Sequence, residues 1–443
     1  MNSVRETAVE IARRLHAAGH EAWLVGGCVR DELRGAAPQD FDIATDARPE
    51  AVEALFPRTH GVGKAFGVML VLEGDRQFEV ATFRAESGYA DGRRPDEVTF
   101  GDARADALRR DFTVNGLFLN PVTGELRDWV GGEADLQARV LRTIGDPDER
   151  LGEDHLRLLR AVRFAAQLDF EIEPATFTAV QAHAEQITRV SAERIRDELL
   201  KLFRPPHAAR GLDLLRDSGL MAQVLPELMA TIGCEQSPRY HPEGDVYQHI
   251  RLMLDTMDTD APVELPWTIL MHDIAKPDTL SLGEDGLIHN YGHDKRGAEI
   301  AECILERLRF SRQQIDDIVF TVRQHMNLAA APKMRKAKLR RLLMRPTFPL
   351  ELEQHRIDCL GSHRKLEIYD FLCAERDELA AQPTLAEPLL RGADLIELGV
   401  APGPEMGSLL NELRDRQLAE QITTREAALA WVKENAAKCG GTD

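Results

Sequence analysis

Three things are scarce in this 443-residue chain, and each scarcity closes off a class of protein. Long apolar runs are missing: no stretch approaches the ~18 uninterrupted apolar residues of a membrane-spanning helix. Met1 to Arg14 interleaves charges with its apolar positions, unlike a secretory leader. These features predict a cytoplasmic protein with no membrane partner. Cysteine is sparse, with six residues at 28, 234, 303, 359, 373 and 439 and no CxxC or CxxH spacing. That argues against a disulfide framework or a structural zinc site and for reduced thiols. Positive charge is in deficit, 55 Lys+Arg against 74 Asp+Glu for a net −19, so the chain does not coat nucleic acid by bulk attraction. An RNA partner has to be met by local concentration of cations. Arg93-Arg94, Arg109-Arg110, Arg157/Arg160/Arg163, Arg194/Arg196/Lys201 and Lys333 to Arg345 supply it, enough for a basic groove on an acidic body.

What is present is globular composition, 43% hydrophobic and 29% charged, over a length that calls for two to four domains. Apolar positions at helical spacing predict an opening helix over residues 3–19. The apolar run Ala22 to Val25 reads as a buried strand, and Gly26-Gly27 after it lets backbone N–H groups approach an anion, with Arg30 adding positive charge. Asp40 and Asp42 share one face if they lie on a strand, with Phe41 and Ile43 on the other. Paired carboxylates of this kind suit Mg²⁺ held against nucleotide phosphates, and two such ions serve an in-line phosphoryl displacement. The alternative is a tight turn followed by a solvated acidic strand end. Pro49 to Phe56 reads as a short helix with Pro in its first turn, and Gly67 to Leu72 and Gln77 to Phe83 read as strands. Glu79 in the second of these needs a partner for its carboxylate, or else a solvent-facing edge.

Gly26-Gly27-x-x-Arg30-Asp31 followed by Asp40-x-Asp42 resembles the catalytic head of the class II template-independent nucleotidyltransferases, which comprise CCA-adding tRNA nucleotidyltransferases and bacterial poly(A) polymerases. The resemblance implies that Glu79 is the third metal-binding carboxylate. It extends along nearly the whole chain. Arg84 to Arg104, polar and rich in Gly, Asp and Arg, reads as a mobile loop. Its Tyr89-x-Asp91-x-Arg93-Arg94-Pro95 ending is similar to a loop of the CCA- and A-adding enzymes. In Arg109-Arg110-Asp111-Phe112-Thr113-Val114-Asn115, Asp111 and Asn115 at four-residue spacing share a helical face and offer polar groups to a ribose, while Arg110 could meet a phosphate. A capped, charge-flanked core helix explains the same spacing. The string is similar to the family's ribose-selecting motif. Residues 121–136 read as a turn-rich hairpin.

From Glu149 the apolar period becomes helical, with Asp154 and Arg157 on adjacent turns within reach of one another and Arg160 and Arg163 continuing the stripe. An Asp accepting from an exocyclic amine and an Arg donating to a ring nitrogen would admit C and A and reject U and G. An intrahelical salt bridge is the other explanation. Glu153-Asp154-x-x-Arg157-x-x-Arg160-Ala161-x-Arg163-Phe164 resembles the family's nucleotide-selecting motif, which poly(A) polymerases share. Ser191 is the expected N-cap of a helix over Ala192 to Phe203 that supports the selecting helix, with Arg194 and Arg196 near RNA, and Ala208 to Leu225 reads as one further helix.

A second constellation begins at Tyr240-His241-Pro242-Glu243-Gly244-Asp245. His249, then His272-Asp273, then Asp358 follow the order of an HD-type metal phosphohydrolase, and His293 and His325 between them suit a second ion. Imidazoles with carboxylates favour a transition metal over Mg²⁺. A retained fold with a merely structural pocket is the alternative. Lys333 to Leu343 reads as a basic helix, either solvated or RNA-facing.

The resemblance implies an α+β architecture: a nucleotidyltransferase head over 1–140, a helical neck and body over 141–236, an HD domain over 237–365, and a helical tail over 366–443. It implies ATP and CTP as substrates, two Mg²⁺ ions on Asp40, Asp42 and Glu79, and a tRNA partner gripped at its 3′ end and, by the tail, at its elbow. Its nucleotide-binding set is Gly26, Gly27, Arg30, Arg110, Asp111, Asn115, Asp154, Arg157, Arg160 and Arg163. CCA addition is the leading activity. A-only addition or poly(A) synthesis is the runner-up, and an HD phosphohydrolase with a degenerate head comes from a different class.

Overall fold

The opening helix forms because Ser3 and Glu6 cap it reciprocally, with Ser3 Oγ accepting from Glu6 N at 3.1 Å and Ser3 N donating to Glu6 Oε2 at 2.7 Å. This is α1 (Val4–Ala17), which buries Ala8, Ile11, Ala12 and Leu15. The computed structural model describes residues 3–63, 67–87, 97–238, 241–284, 286–382 and 387–439. The chain divides into two units, Met1–Met229 and Ala230–Asp443.

In the first unit, β1 (Ala22–Val25) is buried along its whole length and leads through Gly26 into α2 (Gly27–Leu33). β2 (Asp42–Thr45) returns antiparallel to β1, with Val25 opposite Asp42. After α3 (Pro49–Leu55), with Pro in its first turn, β3 (Thr59–Gly63), β4 (Val68–Glu73) and β5 (Arg76–Thr82) extend the sheet on one side. β6 (Arg84–Ser87) and β7 (Glu97–Phe100) pair with each other in a separate ribbon, and α4 (Ala103–Leu108) follows. β8 (Leu117–Leu119) and β9 (Leu126–Asp128) form the hairpin at the other edge, giving the order β3-β4-β5-β2-β1-β8-β9. β2 and β5 run parallel with Ile43 opposite Val80, and that register sets Asp42 beside Glu79 on one face. On that same face, Trp23, Val25, Ala44, Phe83 and Phe118 pack with Ala103 and Ala107 of α4.

Short elements, α5 (Gly132–Ala138) and the parallel pair β10 (Val140–Leu141) and β11 (Glu171–Ile172), lead into the helices α6 (Pro147–Glu153), α7 (Leu156–Leu168), α8 (Pro174–His183), α9 (Ala192–Leu202), α10 (Ala208–Asp217), α11 (Met221–Val224) and α12 (Pro226–Met229). The second unit is helical apart from the hairpin β12 (Ser281–Leu282) and β13 (Ile288–His289). Its helices are α13 (Val246–Asp255), α14 (Leu265–Met271), α15 (Lys276–Thr279), α16 (His293–Arg307), α17 (Arg312–Gln324), α18 (Lys336–Leu343), α19 (Phe348–Gly361), α20 (Glu367–Ala380), α21 (Gly392–Glu397), α22 (Pro404–Leu418) and α23 (Arg425–Cys439). No helix among the described residues is long and apolar enough to cross a membrane.

Several expectations need correction. Arg84 to Arg104 is not loop throughout, since β6, β7 and the start of α4 fall within it, and the Tyr89 to Pro95 ending lies outside the described residues. The hairpin begins earlier than expected, and α5 occupies part of the span assigned to it. Asp111 and Asn115 share no α-helix: Phe112 is extended and only Thr113–Asn115 makes a 3₁₀ turn. The helix expected from Glu149 breaks at Asp154, whose backbone is extended (φ −140°, ψ 106°). Ser191 stands at the N-cap of α9 without a capping side-chain bond. Ala208 to Leu225 is two helices, because Gly219 takes a positive φ of 78° between them. Asp40 precedes β2 rather than lying within it. The basic stretch from Lys333 is interrupted at Arg335, which is extended, and α18 starts at Lys336.

Candidate active site

A cleft of about 930 Å³ in the first unit gathers every head and neck residue singled out above: Gly26, Gly27, Arg30, Asp40, Asp42, Glu79, Arg110, Asp111, Asn115, Asp154, Arg157, Arg160 and Arg163. Its floor is the end of β1 and β2. Gly26 at φ +72° is where a side chain fails, since a Cβ there would sit 3.1 Å from Arg110 Nη1 and 3.9 Å from Asp42 Oδ2. At Gly27 the nearest atom to an added Cβ is Arg30 Nη2 at 3.6 Å, an ordinary contact.

The carboxylates are electrostatically unfinished. Partial desolvation in the cleft, then the charge of Glu79 and that of Asp40, push Asp42 up to about 6, with Arg110 opposing. Asp40, Asp42 and Glu79 share the cleft and repel one another, and such hard oxygen donors suit a divalent cation, but their oxygens do not converge within 4.8 Å as those of the second unit's groups do. Arg110 is committed to Asp106, whose carboxylate it meets at 3.0 Å and which also holds Arg109 at 2.6 Å.

Asp111 sits in a bonded chain. Burial alone would raise its pKa, but the Arg160 guanidinium, at 2.5 Å and 2.8 Å, and the Asn115 amide, at 3.1 Å, hold it well below the usual carboxylate range. Asn115 Oδ1 accepts from Arg30 Nη1 at 2.7 Å, and Arg30 also pairs with Asp31 at 2.9 Å. Arg163 pairs with Glu198 of α9 at 2.5 Å. Phe164 is flanked by three guanidiniums, those of Arg163, Arg160 and Arg30 at 4.0, 5.1 and 5.3 Å from its ring centre.

Asp154 and Arg157 line the same cleft but do not pair with each other. Asp154 is held by Arg194 through two contacts, 2.8 and 3.2 Å. Arg157 pairs with Glu153 and donates to the carbonyls of Arg150 and Arg109 at 2.8 and 3.1 Å. Sequence reasoning did not find these anchors. Asp106 lies four residues before Arg110 and Glu153 four residues before Arg157, so helical spacing carried a faint signal. Glu198 reaching Arg163 across two helices had none.

The second unit gathers the other constellation. Asp273 is its centre: Oδ2 lies 3.2 Å from His272 Nε2 and 4.0 Å from His249 Nε2, and Oδ1 lies 3.4 Å from His293 Nε2 and 3.9 Å from His325 Nε2. Asp358 Oδ1 is 3.2 Å from His249 Nε2. The Nε2 atoms of His249 and His272 are buried without a hydrogen-bond partner among the described residues. Burial would lower His249, but Asp358 and Glu243 raise it to about 9. His325, by contrast, is pushed down to about 4 by burial and then by the charge of His272. Orphaned imidazole nitrogens converging on carboxylates fit one metal ion at His249, His272 and Asp273 and a second at Asp273, His293 and His325, with Asp358 meeting the first group at His249. Tyr240 lies outside the described residues.

The basic helix α18 has a structural task. Arg340 donates to Leu418 O at 2.8 Å and pairs with Glu420 at 2.7 Å, while Lys336 and Arg341 meet Glu420 and Asp415 at 2.8 and 2.5 Å. These three cations pair with the tail helix α22 and the residues after it, while Lys333, Arg335 and Lys338 of the same stretch are exposed.

Residues 22–142 match the family described as "Poly A polymerase head domain", and residues 169–232 match "Probable RNA and SrmB- binding site of polymerase A". The CCA-adding enzyme of Levilactobacillus brevis is 32% identical over 427 residues, covering 96% of each chain. That of Lacticaseibacillus paracasei is 32% identical over 415 residues, 94% of this chain and 92% of that one. Among solved structures, the Bacillus stearothermophilus CCA-adding enzyme in complex with CTP aligns with a TM-score of 0.74 and 26% identity over 99% of both chains.

Proposed function

Since the chain belongs to the CCA-adding enzymes, we propose how its own residues carry out that reaction. The protein is a template-independent nucleotidyltransferase that adds C and then A, from CTP and ATP, to the 3′ end of tRNA and releases pyrophosphate. The observation that carries the site assignment is the single cleft in which three carboxylates face a wall of arginines.

Asp40 and Asp42, with Glu79 assisting, would hold two Mg²⁺ ions, which would supply Lewis-acid activation of the primer 3′-hydroxyl and charge neutralisation at the triphosphate. Gly26, Gly27 and Arg30 cradle phosphate oxygens, and Arg110 adds charge where pyrophosphate leaves. Asp111, fixed as an anion by Arg160, accepts from a ribose hydroxyl, and Asn115 orients it. Asp154 and Arg157 select the base. The tRNA 3′ end enters the cleft and the elbow rests on the tail.

For the ribose assignment, Asp111→Ala should lower kcat/KM for ATP by about 10- to 100-fold, the worth of a charge-assisted hydrogen bond. The loss with 2′-deoxyATP should be smaller. An unchanged ratio of the two substrates rules the contact out.

The second unit supports a further reading, carried by its orphaned histidine nitrogens. It binds divalent metal at the HD constellation and acts on phosphomonoesters or 2′,3′-cyclic phosphates at RNA 3′ ends. A His272→Ala/Asp273→Ala protein should lose metal-dependent phosphatase activity, and activity equal to the parent's overturns the reading.

A further inference from the structure

Three of the four histidines around Asp273 are oriented in the same way. His272 Nδ1 lies 2.8 Å from the carbonyl of Ile269, His293 Nδ1 2.6 Å from that of Asn290, and His325 Nδ1 2.6 Å from that of Val322. A carbonyl only accepts, so each Nδ1 keeps its hydrogen and each Nε2 offers a lone pair inward.

His249 differs. Its Nδ1 stands 2.7 Å from Glu243 Oε1, a carboxylate from the segment just before α13, in an ion-pair contact that lies off hydrogen-bond geometry, so the charge and nearness of the carboxylate, rather than an aligned bond, bear on this ring. The same oxygen is 2.9 Å from His241 Nδ1, and His241 Nε2 is 3.4 Å from Lys276 Nζ. Lys276 meets Asp273 Oδ2 at 2.6 Å. Asp273, Lys276, His241, Glu243 and His249 therefore form a ring of side chains. Its longest gap is the 4.0 Å between His249 Nε2 and Asp273 Oδ2, where an ion's two ligand atoms would face each other.

We propose that Glu243 is a positioning residue for the metal position served by His249: its carboxylate keeps the hydrogen on Nδ1, aims Nε2 at the ion, and makes this imidazole a stronger donor than the three anchored by carbonyls. The inference rests on the reading that the second unit binds metal. A carboxylate behind a ligating imidazole raises its basicity and fixes its tautomer, and removing such a group typically costs 10- to 100-fold in affinity. The position shared by His249, His272, Asp273 and Asp358 therefore fills before that of Asp273, His293 and His325. His241, Glu243 and His249 are themselves close enough to hold an ion. Binding through Nδ1 would, however, leave His249 serving two cations with one neutral ring, so orientation is the role the geometry favours.

The test is titration of the metal-stripped full-length protein with Co²⁺, followed by visible absorption and by competition with a chelating indicator. With saturating Mg²⁺ present to occupy the head carboxylates, the parent should take up two Co²⁺ equivalents at the second unit's histidines. Glu243→Ala should weaken the tighter one by about 10- to 100-fold, and Glu243→Gln, which keeps an acceptor without the charge, should fall between. Because Glu243 acts through His249, Glu243→Ala should add nothing in a His249→Ala protein and retain its full effect in a His293→Ala protein. Equal thermal melting of the metal-free Glu243→Gln variant and the parent guards against misfolding. An unaltered tight equivalent in Glu243→Ala, or an equal loss in both double variants, overturns the inference while leaving the metal reading intact. A third equivalent that disappears with Glu243 makes it a ligand and also overturns the positioning role. Parent and His272→Ala/Asp273→Ala proteins that both take up no Co²⁺ overturn the metal reading and the inference together.

Discussion

Replacing Asp42 with alanine should lower kcat for nucleotide addition by at least about 10³-fold, because the side chain lies where two strands bring up the carboxylates proposed to hold the ions. The register of β2 against β5 sets Asp42 next to Glu79, and Asp40 lies two residues upstream. Losing several kcal/mol of charge stabilisation in the transition state corresponds to a rate loss of that order. The same residue gives a pH-dependent stability signature. Its folded-state pKa of about 6 lies above the ordinary 3.8, so the folded protein holds a proton that the unfolded chain releases earlier. Without divalent cation, the contribution of Asp42 to stability should be lost as pH rises from about 4 to about 6. Asp42→Asn should then melt higher than the parent at pH 8 and equally at pH 4 or below. Magnesium should reverse the order at pH 8 by stabilising only the parent. Thermal melts across pH with and without Mg²⁺ check this, and an Asp42→Asn protein that melts below the metal-free parent at pH 8 contradicts it.

Base choice should collapse when Asp154 is removed. In the proposed reading the carboxylate accepts from the exocyclic amine that C and A carry, and Arg157 donates to their unprotonated ring nitrogen. U and G present a carbonyl and a protonated nitrogen instead, leaving like groups facing each other at about 1–3 kcal/mol each. Asp154→Ala should therefore reduce the preference for CTP over UTP by about 10- to 100-fold, mainly through lower kcat/KM for CTP. Arg194→Ala should reproduce part of the effect, because Arg194 holds the Asp154 carboxylate at 2.8 Å. Arg157 is steadied by Glu153 and two carbonyls, so Glu153→Gln should blur selection without removing a group that touches the base. The check is kcat/KM for all four triphosphates on a tRNA primer, and an unchanged CTP-to-UTP ratio in Asp154→Ala removes these residues from base selection.

The head was legible because its signals are local. Alternation along Gln77 to Thr82 fixed which face Glu79 takes, and the apolar run before Gly26 fixed β1. Two kinds of information were not local. Helix breaks such as Asp154 depend on what the side chain meets: its partner Arg194 lies forty residues on, and periodicity ran straight across the break. Charge clusters say nothing of their destination. Lys336, Arg340 and Arg341 looked like a nucleic-acid face and instead tie α18 to the tail, because their acidic partners are more than seventy residues away. In the second unit the His and Asp order was readable, but Glu243 behind His249 emerged only when the fold brought them together.

The most direct measurement is incubation of the protein with a tRNA transcript that ends before its CCA, with each labelled triphosphate alone and in combination. The account predicts two C residues from CTP alone, completion with a single A when ATP is added, no product from UTP or GTP, and no extension beyond CCA. A long A tail, A addition confined to transcripts already ending in CC, or an unextended transcript contradicts it.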